Sequence, residues 1–239
     1  MAANATPDIR PLSENSVLLT FGHCIDPALS STLAAWCHAI QVTLGGKVTD
    51  LVPSYTTITV YYDLANSDFR SIDKELRSIS LKDHPEAGAS GGRQVELPVW
   101  YDPSVGPDLE PLARACKLNF QQVIDIHTGV PYKVYALGFS PGFSFMGQVD
   151  QAIAHPRLKH PRARVPQGSV GIADRQTAVY PTASPGGWQL IGRCPTPLFC
   201  EEQLALLAVG DTVHFHAISH KTFLSLGGDD TPYQDIFSQ

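Results

Sequence analysis

The first third of the chain alternates short apolar runs with apolar residues at helical spacing. Residues 17–21 form a short apolar run, which predicts a strand. A helix is predicted where apolar side chains recur three or four residues apart, at Leu29, Leu33, Trp36 and Ile40. Residues 48–52 and 56–62 predict two further strands, and residues 68–79 a second helix. The order β-α-β-β-α over residues 8–85 predicts an α+β domain, a ferredoxin-like α/β sandwich.

The remaining chain is richer in strands. After a polar, glycine-rich linker over residues 82–93, strands are predicted at 94–101, 133–139, 168–172, 177–180, 188–192 and 212–217. Two short helices are predicted at 107–117 and 119–127, the second capped by Asn119. Many short strands joined by shaped loops are typical of a closed or partly closed β-barrel. We therefore expect a second domain over residues 94–239, in which 94–150 packs against or completes the barrel.

Glycine and proline are concentrated between residues 135 and 193, in the runs GFSPGF, VPQGSVG and SPGGW. These residues suit tight turns and close backbone approaches, and they disfavour helices. The same stretch reverses the sign of the chain's charge, because residues 151–173 hold no acid, whereas the whole chain carries a net charge of -6. Its basic side chains are Arg157, Lys159, Arg162 and Arg164. A concave basic surface would attract carboxylate or phosphate, and the alternative is a solvated basic loop.

The composition narrows the class of protein. A net charge of -6 argues against non-specific nucleic-acid binding. No signal-peptide pattern opens the chain, and no apolar run is long enough to span a membrane, so we expect a cytoplasmic protein. The number of cysteines is odd and no CxxC pair occurs, which favours reduced thiols.

Three runs resemble the signature of one protein family: GFSPGFSFMG, PRARVPQGSVGIADRQTAVYP and SPGGWQLIGR. The family is known as the B subunit of 5-oxoprolinase, as kinase inhibitor KipI and as the first subunit of allophanate hydrolase. It is also similar to part of the carboxyltransferase domain of urea carboxylase (subdomains C and D). The resemblance covers roughly residues 9–216. The chain departs from the family pattern at Cys194, where threonine is usual, and at SFM in place of Pro-Tyr-Leu.

The resemblance implies a cyclophilin-like fold for the barrel and a role as an enzyme subunit that is inactive alone. The implied reaction is the ATP-dependent opening of 5-oxoproline to glutamate. It would require a KipA-type partner, which is the C subunit of 5-oxoprolinase, and a third, metal-dependent A subunit. ATP would be shared with the partner. Two alternatives stay open: inhibition of a sensor histidine kinase, as the name KipI implies, and a carboxyltransferase or allophanate-processing component.

Two motifs are missing. Residues 45–49 lack the spacing of a Walker A loop, and no biotin-attachment motif occurs. Gly168-Ser169-Val170-Gly171 does not have the GxSxG order of a nucleophile elbow, so Ser169 is interpreted as a turn hydroxyl. His214 and His216 would share one face of a strand, but without a third ligand we expect no metal site.

The candidate catalytic residues are His127, Arg164 and Arg193. An imidazole at the end of a helix can exchange a proton near neutral pH, although His127 could equally cap that helix. Arginine offers a planar fork for carboxylate or phosphate. The candidate substrate-binding residues are Gln176, Tyr180, Gly168, Ser169 and Trp188. Gln176 and Tyr180 would share a face of one strand inside a barrel pocket, and Trp188 would be a wall of that pocket or part of the core.

The loop between residues 139 and 146 is unusually apolar. It holds Phe139, Phe143, Phe145 and Met146, interrupted by a proline-glycine turn. An apolar loop of this kind either folds under the barrel or forms a docking surface. We expect Phe139, Phe143 and Phe145 to form an interface with the partner protein, beside the basic stretch.

Overall fold

The structure, a computed structural model, describes residues 6–26, 29–83, 92–202 and 204–234. The chain divides into two compact units that meet in the sequence between Gly92 and Arg93. Most of the glycine-rich linker, residues 84–91, lies outside the described residues. Among the helices of the described part, none has both the length and the apolarity to cross a membrane.

The first unit is a four-stranded antiparallel sheet with two helices. Its elements are β1 (Asp8–Ser13), β2 (Ser16–Thr20), α1 (Leu29–Leu44), β3 (Val48–Pro53), β4 (Thr57–Tyr62) and α2 (Phe69–Ser78). The strands lie in the order β1-β2-β4-β3. The predicted strands and helices are all present, and β1 is an additional edge strand that the sequence did not indicate. The ferredoxin-like assignment stays a prediction.

Local chemistry explains the helix ends of this unit. Asp68 caps α2 by accepting a hydrogen bond from the Ser71 amide at 2.8 Å. After α1 the chain turns at Gly45, whose φ of +48° is a conformation that favours glycine. Apolar side chains of both helices, among them Trp36 and Leu76, pack on the sheet in one core.

The second unit carries the remaining strands and three helices. Its elements are β5 (Gln94–Val99), α3 (Leu109–Ala115), α4 (Phe120–Thr128), β6 (Tyr132–Leu137), β7 (Ser144–Gly147), β8 (Arg162–Val165), β9 (Ser169–Ala173), β10 (Gln176–Val179), β11 (Ser184–Gly186), β12 (Gln189–Arg193), β13 (Phe199–Cys200), β14 (Leu204–Ala205), β15 (Thr212–Ala217) and α5 (His220–Ser225). Asn119 caps α4 with a capping box completed by Gln122, as the sequence predicted.

Seven of these strands form one sheet in the order β12-β9-β10-β7-β6-β15-β5. The two outer strands approach each other, because Trp100 and Arg193 exchange a pair of backbone hydrogen bonds of 2.9 Å. The sheet is therefore a nearly closed barrel, as expected, and β5 is part of it. The cyclophilin-like assignment stays a prediction.

Side chains of the barrel strands alternate between two apolar clusters. Val170 and Ile172 of β9 belong to the larger cluster, which α3 and α4 also join. Ala173 and Leu190 belong to a second cluster with Phe143, Tyr180 and Trp188. This second cluster lies beside the cavities described next.

Candidate functional site

The glycine- and proline-rich loops of the second unit surround a cavity of about 350 Å³. Arg164, Gly168, Tyr180 and Arg193 line it, so the structure brings together four of the residues that the sequence singled out. The other walls come from residues 194–198, after β12, and from residues 227–229, near the end of the described chain. Both arginines also line a neighbouring cavity of about 320 Å³.

Gly168 allows the strands around the cavity to meet. Its φ of +78° is a left-handed conformation, and a Cβ there would collide with the carbonyl oxygen of Cys194. Its amide donates to the Tyr180 carbonyl at 2.8 Å, and its own carbonyl accepts from the Cys194 amide at 2.8 Å. The position therefore requires glycine, and its role is to shape the cavity with its backbone.

Arg193 is the most deeply buried charge at the site, with 2% of its surface exposed. Its Nη1 donates to the carbonyl oxygens of Asp229 at 2.7 Å and Thr231 at 2.8 Å. Burial lowers the pKa of the guanidinium, and the nearby carboxylates of Asp229 and Asp230 oppose that shift. The remaining donors, Nε and Nη2, have no acceptor among the described residues.

The basic stretch does not act as one surface. Arg162 donates to the carboxylate of Asp108 at 2.8 Å, and both side chains are almost buried. Arg157 lies over the ring of Trp188, with 5.7 Å from Cζ to the ring centroid. Arg164 is exposed at the rim of the cavity. The positive field at the cavity therefore comes from Arg193 below and Arg164 at the edge.

The apolar loop does not present its three phenylalanines together. Phe143 is 2% exposed and lies at the centre of an aromatic cluster with Phe145, Tyr180 and Trp188. Phe139 is 63% exposed. It has a left-handed φ of +70° and packs edge-on against Phe143, with centroids 5.1 Å apart. Phe143 is thus a core residue that supports Phe139 from beneath, which corrects the expectation of one exposed surface.

Phe145 is half-buried and joins the other aromatic rings in lining a smaller cavity of about 180 Å³. Trp188, 5% exposed, is both core and a wall of this cavity. Tyr180 lines both this aromatic cavity and the larger basic one. Trp188 is therefore part of the core, and it borders the aromatic cavity and not the basic cavity of about 350 Å³.

His127 lies in the barrel core and is not among the residues that line these cavities. Its Nδ1 bonds to the Tyr101 hydroxyl at 2.8 Å and its Nε2 to the Thr177 hydroxyl at 3.0 Å. Complete burial lowers the pKa of the imidazole to about 3. A histidine in this state stays neutral near pH 7 and has both nitrogens engaged. This environment favours a structural role.

The other candidates lie apart from the cavity or beneath it. Gln176 is at the far end of β10 from Tyr180 and lines neither of the two basic cavities. Ser169 is buried in β9, directly opposite Arg193 of β12, and its hydroxyl has no partner among the described residues. His214 bonds to Gln94 at 3.0 Å, and the described residues contain no cluster of potential metal ligands.

Sequence reasoning missed two parts of the site. Asp108, at the start of α3, accepts from Arg162 and from the Leu190 amide and so ties β8 to β12. The residues after α5 cross the cavity and bind Arg193. The only sequence signal for this segment is the acidic pair Asp229-Asp230, whose charge is opposite to that of the basic stretch.

Comparisons with known proteins agree with this architecture. Residues 7–207 match the family model described as carboxyltransferase domain, subdomains C and D. The chain is 38% identical over 227 residues to the B subunit of 5-oxoprolinase from Bacillus subtilis (strain 168), and the match covers 90% of this chain and 94% of the relative. The chain therefore belongs to the carboxyltransferase subdomain C and D family, which includes proteins named as the B subunit of 5-oxoprolinase. The resemblance seen in the sequence is confirmed.

Solved structures show the same fold. The crystal structure of the protein TTHA0988 is similar with a TM-score of 0.76 and 32% identity. The match covers 87% of this chain, which spans only 40% of that one. The Kluyveromyces lactis urea carboxylase is similar with a TM-score of 0.68 over 96% of this chain and 23% of that one. At 15% identity, this second likeness shows the fold alone.

Proposed function

We propose that this chain is one component of an ATP-dependent 5-oxoprolinase and acts with a KipA-type partner, the C subunit of such an enzyme. The names of its relatives support this proposal, since each is called the B subunit of 5-oxoprolinase. The observation that carries it is the cavity on Arg193, where buried guanidinium donors have no acceptor among the described residues. 5-Oxoproline is a small lactam with one carboxylate, and a carboxylate is the acceptor that such a fork takes.

In this proposal the chain binds and orients the substrate. Arg193 holds the carboxylate from below, Arg164 attracts it at the rim, and the backbone around Gly168 shapes the wall. Opening a lactam is uphill without activation, which explains a coupling to ATP. Because the chain has no Walker A loop, we propose that ATP is held together with the KipA-type partner.

The partner would dock over Phe139. This side chain is exposed, apolar and held in a left-handed backbone conformation by the rings beneath it. An aromatic anchor that is already fixed in place loses little freedom on binding, and aromatic residues are common at interface centres. The aromatic cavity beside it, with Arg157 at its edge, extends the same surface.

Reconstitution tests the proposed function. The purified chain should not turn over 5-oxoproline and ATP, and glutamate formation should appear when the KipA-type partner and the metal-dependent third component are added. Turnover by the chain alone would contradict the proposed role. A stable complex with the helix bundle of a sensor histidine kinase, with no turnover in any mixture, would favour the inhibitor hypothesis instead.

Two phenylalanine variants test the docking surface. Phe139→Ala should weaken binding of the KipA-type partner while leaving the melting temperature nearly unchanged. Phe120→Ala, an equally drastic change at another exposed phenylalanine, is the matched control and should affect neither quantity. If the two variants bound the KipA-type partner with equal affinity, Phe139 would not be part of the interface.

A further inference from the structure

Arg193 is only half satisfied. The Nη1 edge of its guanidinium is bound by two carbonyl oxygens, but Nε and Nη2, which together form the edge that suits a carboxylate, meet no acceptor among residues 6–26, 29–83, 92–202 and 204–234. A buried donor without a partner costs about 1–3 kcal/mol, and a charged one costs more. The arrangement therefore gains free energy when an acceptor with two oxygens reaches that edge.

The segment whose carbonyl oxygens bind Arg193 lies at the surface. Residues 228–233, called the strap here, follow α5, and most of them are exposed, whereas Arg193 beneath them is buried. The two basic cavities, of about 350 and 320 Å³, share Arg164, Pro166, Arg193 and Asp229. The strap thus borders both basic cavities.

Apart from its bonds to Arg193, the strap is attached at Asp230 and at Tyr233. His220 bonds to Asp230 at 2.8 Å, but both side chains are about half exposed, and exposed pairs contribute only about 0.2–1 kcal/mol. The Tyr233 amide donates to the Ser104 carbonyl at 2.8 Å, and its ring lies 5.1 Å from the Arg162 guanidinium. Displacing the strap therefore breaks its two bonds to Arg193 and the packing of the partly buried Tyr233 against the aromatic cluster.

The strap also places negative charge near Arg193, as a bound anion would. Asp229 and Asp230 are the acids that act on Arg193, and Asp229 holds its own carboxylate toward Thr231 through bonds of 2.6 and 2.9 Å. The guanidinium is thus approached by backbone carbonyls and nearby carboxylates, without a carboxylate on its free edge. These groups imitate a bound anion but use only one edge of the fork.

We propose that residues 228–233 are a displaceable cover on a carboxylate-binding site centred on Arg193. A small carboxylate takes the Nε and Nη2 edge when the strap moves away, and the strap closes over Arg193 when the carboxylate leaves. This inference rests on the proposed function for the identity of the substrate, 5-oxoproline, but its chemistry applies to any small monocarboxylate.

Binding measurements on the full chain and a strap-shortened variant test the cover. The probes are 5-oxoproline, acetate, and 2-pyrrolidinone, which has the same ring without the carboxylate. A chain that ends at Gly228 should bind both carboxylates roughly tenfold more tightly than the full chain, because binding no longer has to displace the strap. Affinity for 2-pyrrolidinone should not change. Equal or weaker binding of the carboxylates would overturn the proposal, since the strap would then position Arg193 and not cover it.

Point variants test the same proposal if the shortened chain does not fold. Asp230→Asn loosens the strap without replacing Arg193 itself, and it also removes an acid that acts on Arg193, so it should raise carboxylate affinity by a smaller factor, roughly twofold to threefold. Asp125→Asn, the same change of charge on an exposed acid of α4, is the control and should leave affinity unchanged. Arg193→Met should abolish the gain in carboxylate affinity, both in the shortened chain and in the Asp230→Asn variant. A gain that survives Arg193→Met would place the carboxylate elsewhere and overturn the proposal.

The outcomes for the strap and for the proposed function can be separated. If the shortened chain binds acetate more tightly but the reconstituted complex does not consume 5-oxoproline, the strap proposal stands and the proposed function fails. If the complex is active but neither shortening nor Asp230→Asn changes carboxylate affinity, the proposed function stands and the cover is wrong.

Discussion

His127 and Arg193 are both buried polar groups of the barrel unit, and their surroundings are opposite. Both nitrogens of His127 are bonded to hydroxyl groups inside an apolar cluster. Arg193 has one edge bonded and one buried edge that meets no acceptor in the part of the chain that the structure describes. A fully satisfied buried group adds to a unique core, whereas a half-satisfied one has a free energy that a ligand can lower. The difference favours a structural role for His127 and supports the proposed binding role of Arg193.

The largest expected effect is on stability. His127→Ala should lower the free energy of unfolding by about 3–5 kcal/mol, because it opens a cavity and leaves the Tyr101 hydroxyl unpaired. Arg193→Met should change that energy by less than about 1 kcal/mol, since the lost bonds are offset by the relief of burying a charge. Urea denaturation of both variants measures the two effects. A larger loss of unfolding free energy for Arg193→Met than for His127→Ala would contradict this difference between the two residues.

The second effect concerns catalysis. Arg193→Met should lower kcat/KM of the reconstituted complex by roughly 10- to 150-fold, which corresponds to about 1.5–3 kcal/mol for a lost charge-assisted pair. Arg114→Met, which removes an exposed arginine of α3, is the matched control and should leave kcat/KM unchanged. If the two variants behaved alike, Arg193 would not hold the substrate.

The third effect is a pH dependence. His127 has a folded pKa of about 3, below its unfolded value of about 6.5, so the unfolded chain binds a proton first as the pH falls. This histidine should therefore cost the protein about 2 kcal/mol of stability between pH 7 and pH 5, a loss that begins below the unfolded pKa. A glutamine side chain does not titrate, so His127→Gln should remove this part of the pH dependence of the free energy of unfolding. Urea denaturation at both pH values measures this change in the free energy of unfolding. If the energy fell equally with pH in the variant and the parent, the imidazole would not be buried in its neutral form.

The smallest expected effect is that of changing Arg164, the exposed arginine that lines the same cavity as Arg193. Arg164 lies at the rim of the cavity, so it should steer the anion more than hold it. Arg164→Ala should lower kcat/KM by roughly two- to fivefold at low ionic strength, and the difference should shrink as salt is added. A loss that is large and independent of salt would place Arg164 in direct contact with the substrate.

Much of the fold follows from local patterns in the sequence. The helical spacing of apolar residues located α1 and α2, and Asn119 indicated the start of α4 because its capping box is a local interaction. The strand β1 was missed because its sequence DIRPLS has no alternation and contains a proline. Such a strand depends on pairing with β2, which a local pattern does not report.

The site was predictable only in part. The candidates drawn from the sequence include Arg164, Gly168, Tyr180 and Arg193, which do line one cavity. The sequence did not show that Arg162 is neutralised by Asp108 or that His127 lies inside the core, because burial and long-range pairing arise from tertiary packing. It also did not show the strap, which has neither periodicity nor a motif.

The backbone of Arg193 closes the barrel against Trp100, although the two residues are far apart in the sequence. Contacts of such long range form only after a large entropy of loop closure has been overcome, and they slow folding. The seam that positions Arg193 therefore depends on a complete barrel. A nascent or damaged chain should not present this arginine, so the proposed binding of a carboxylate would report that the barrel is complete.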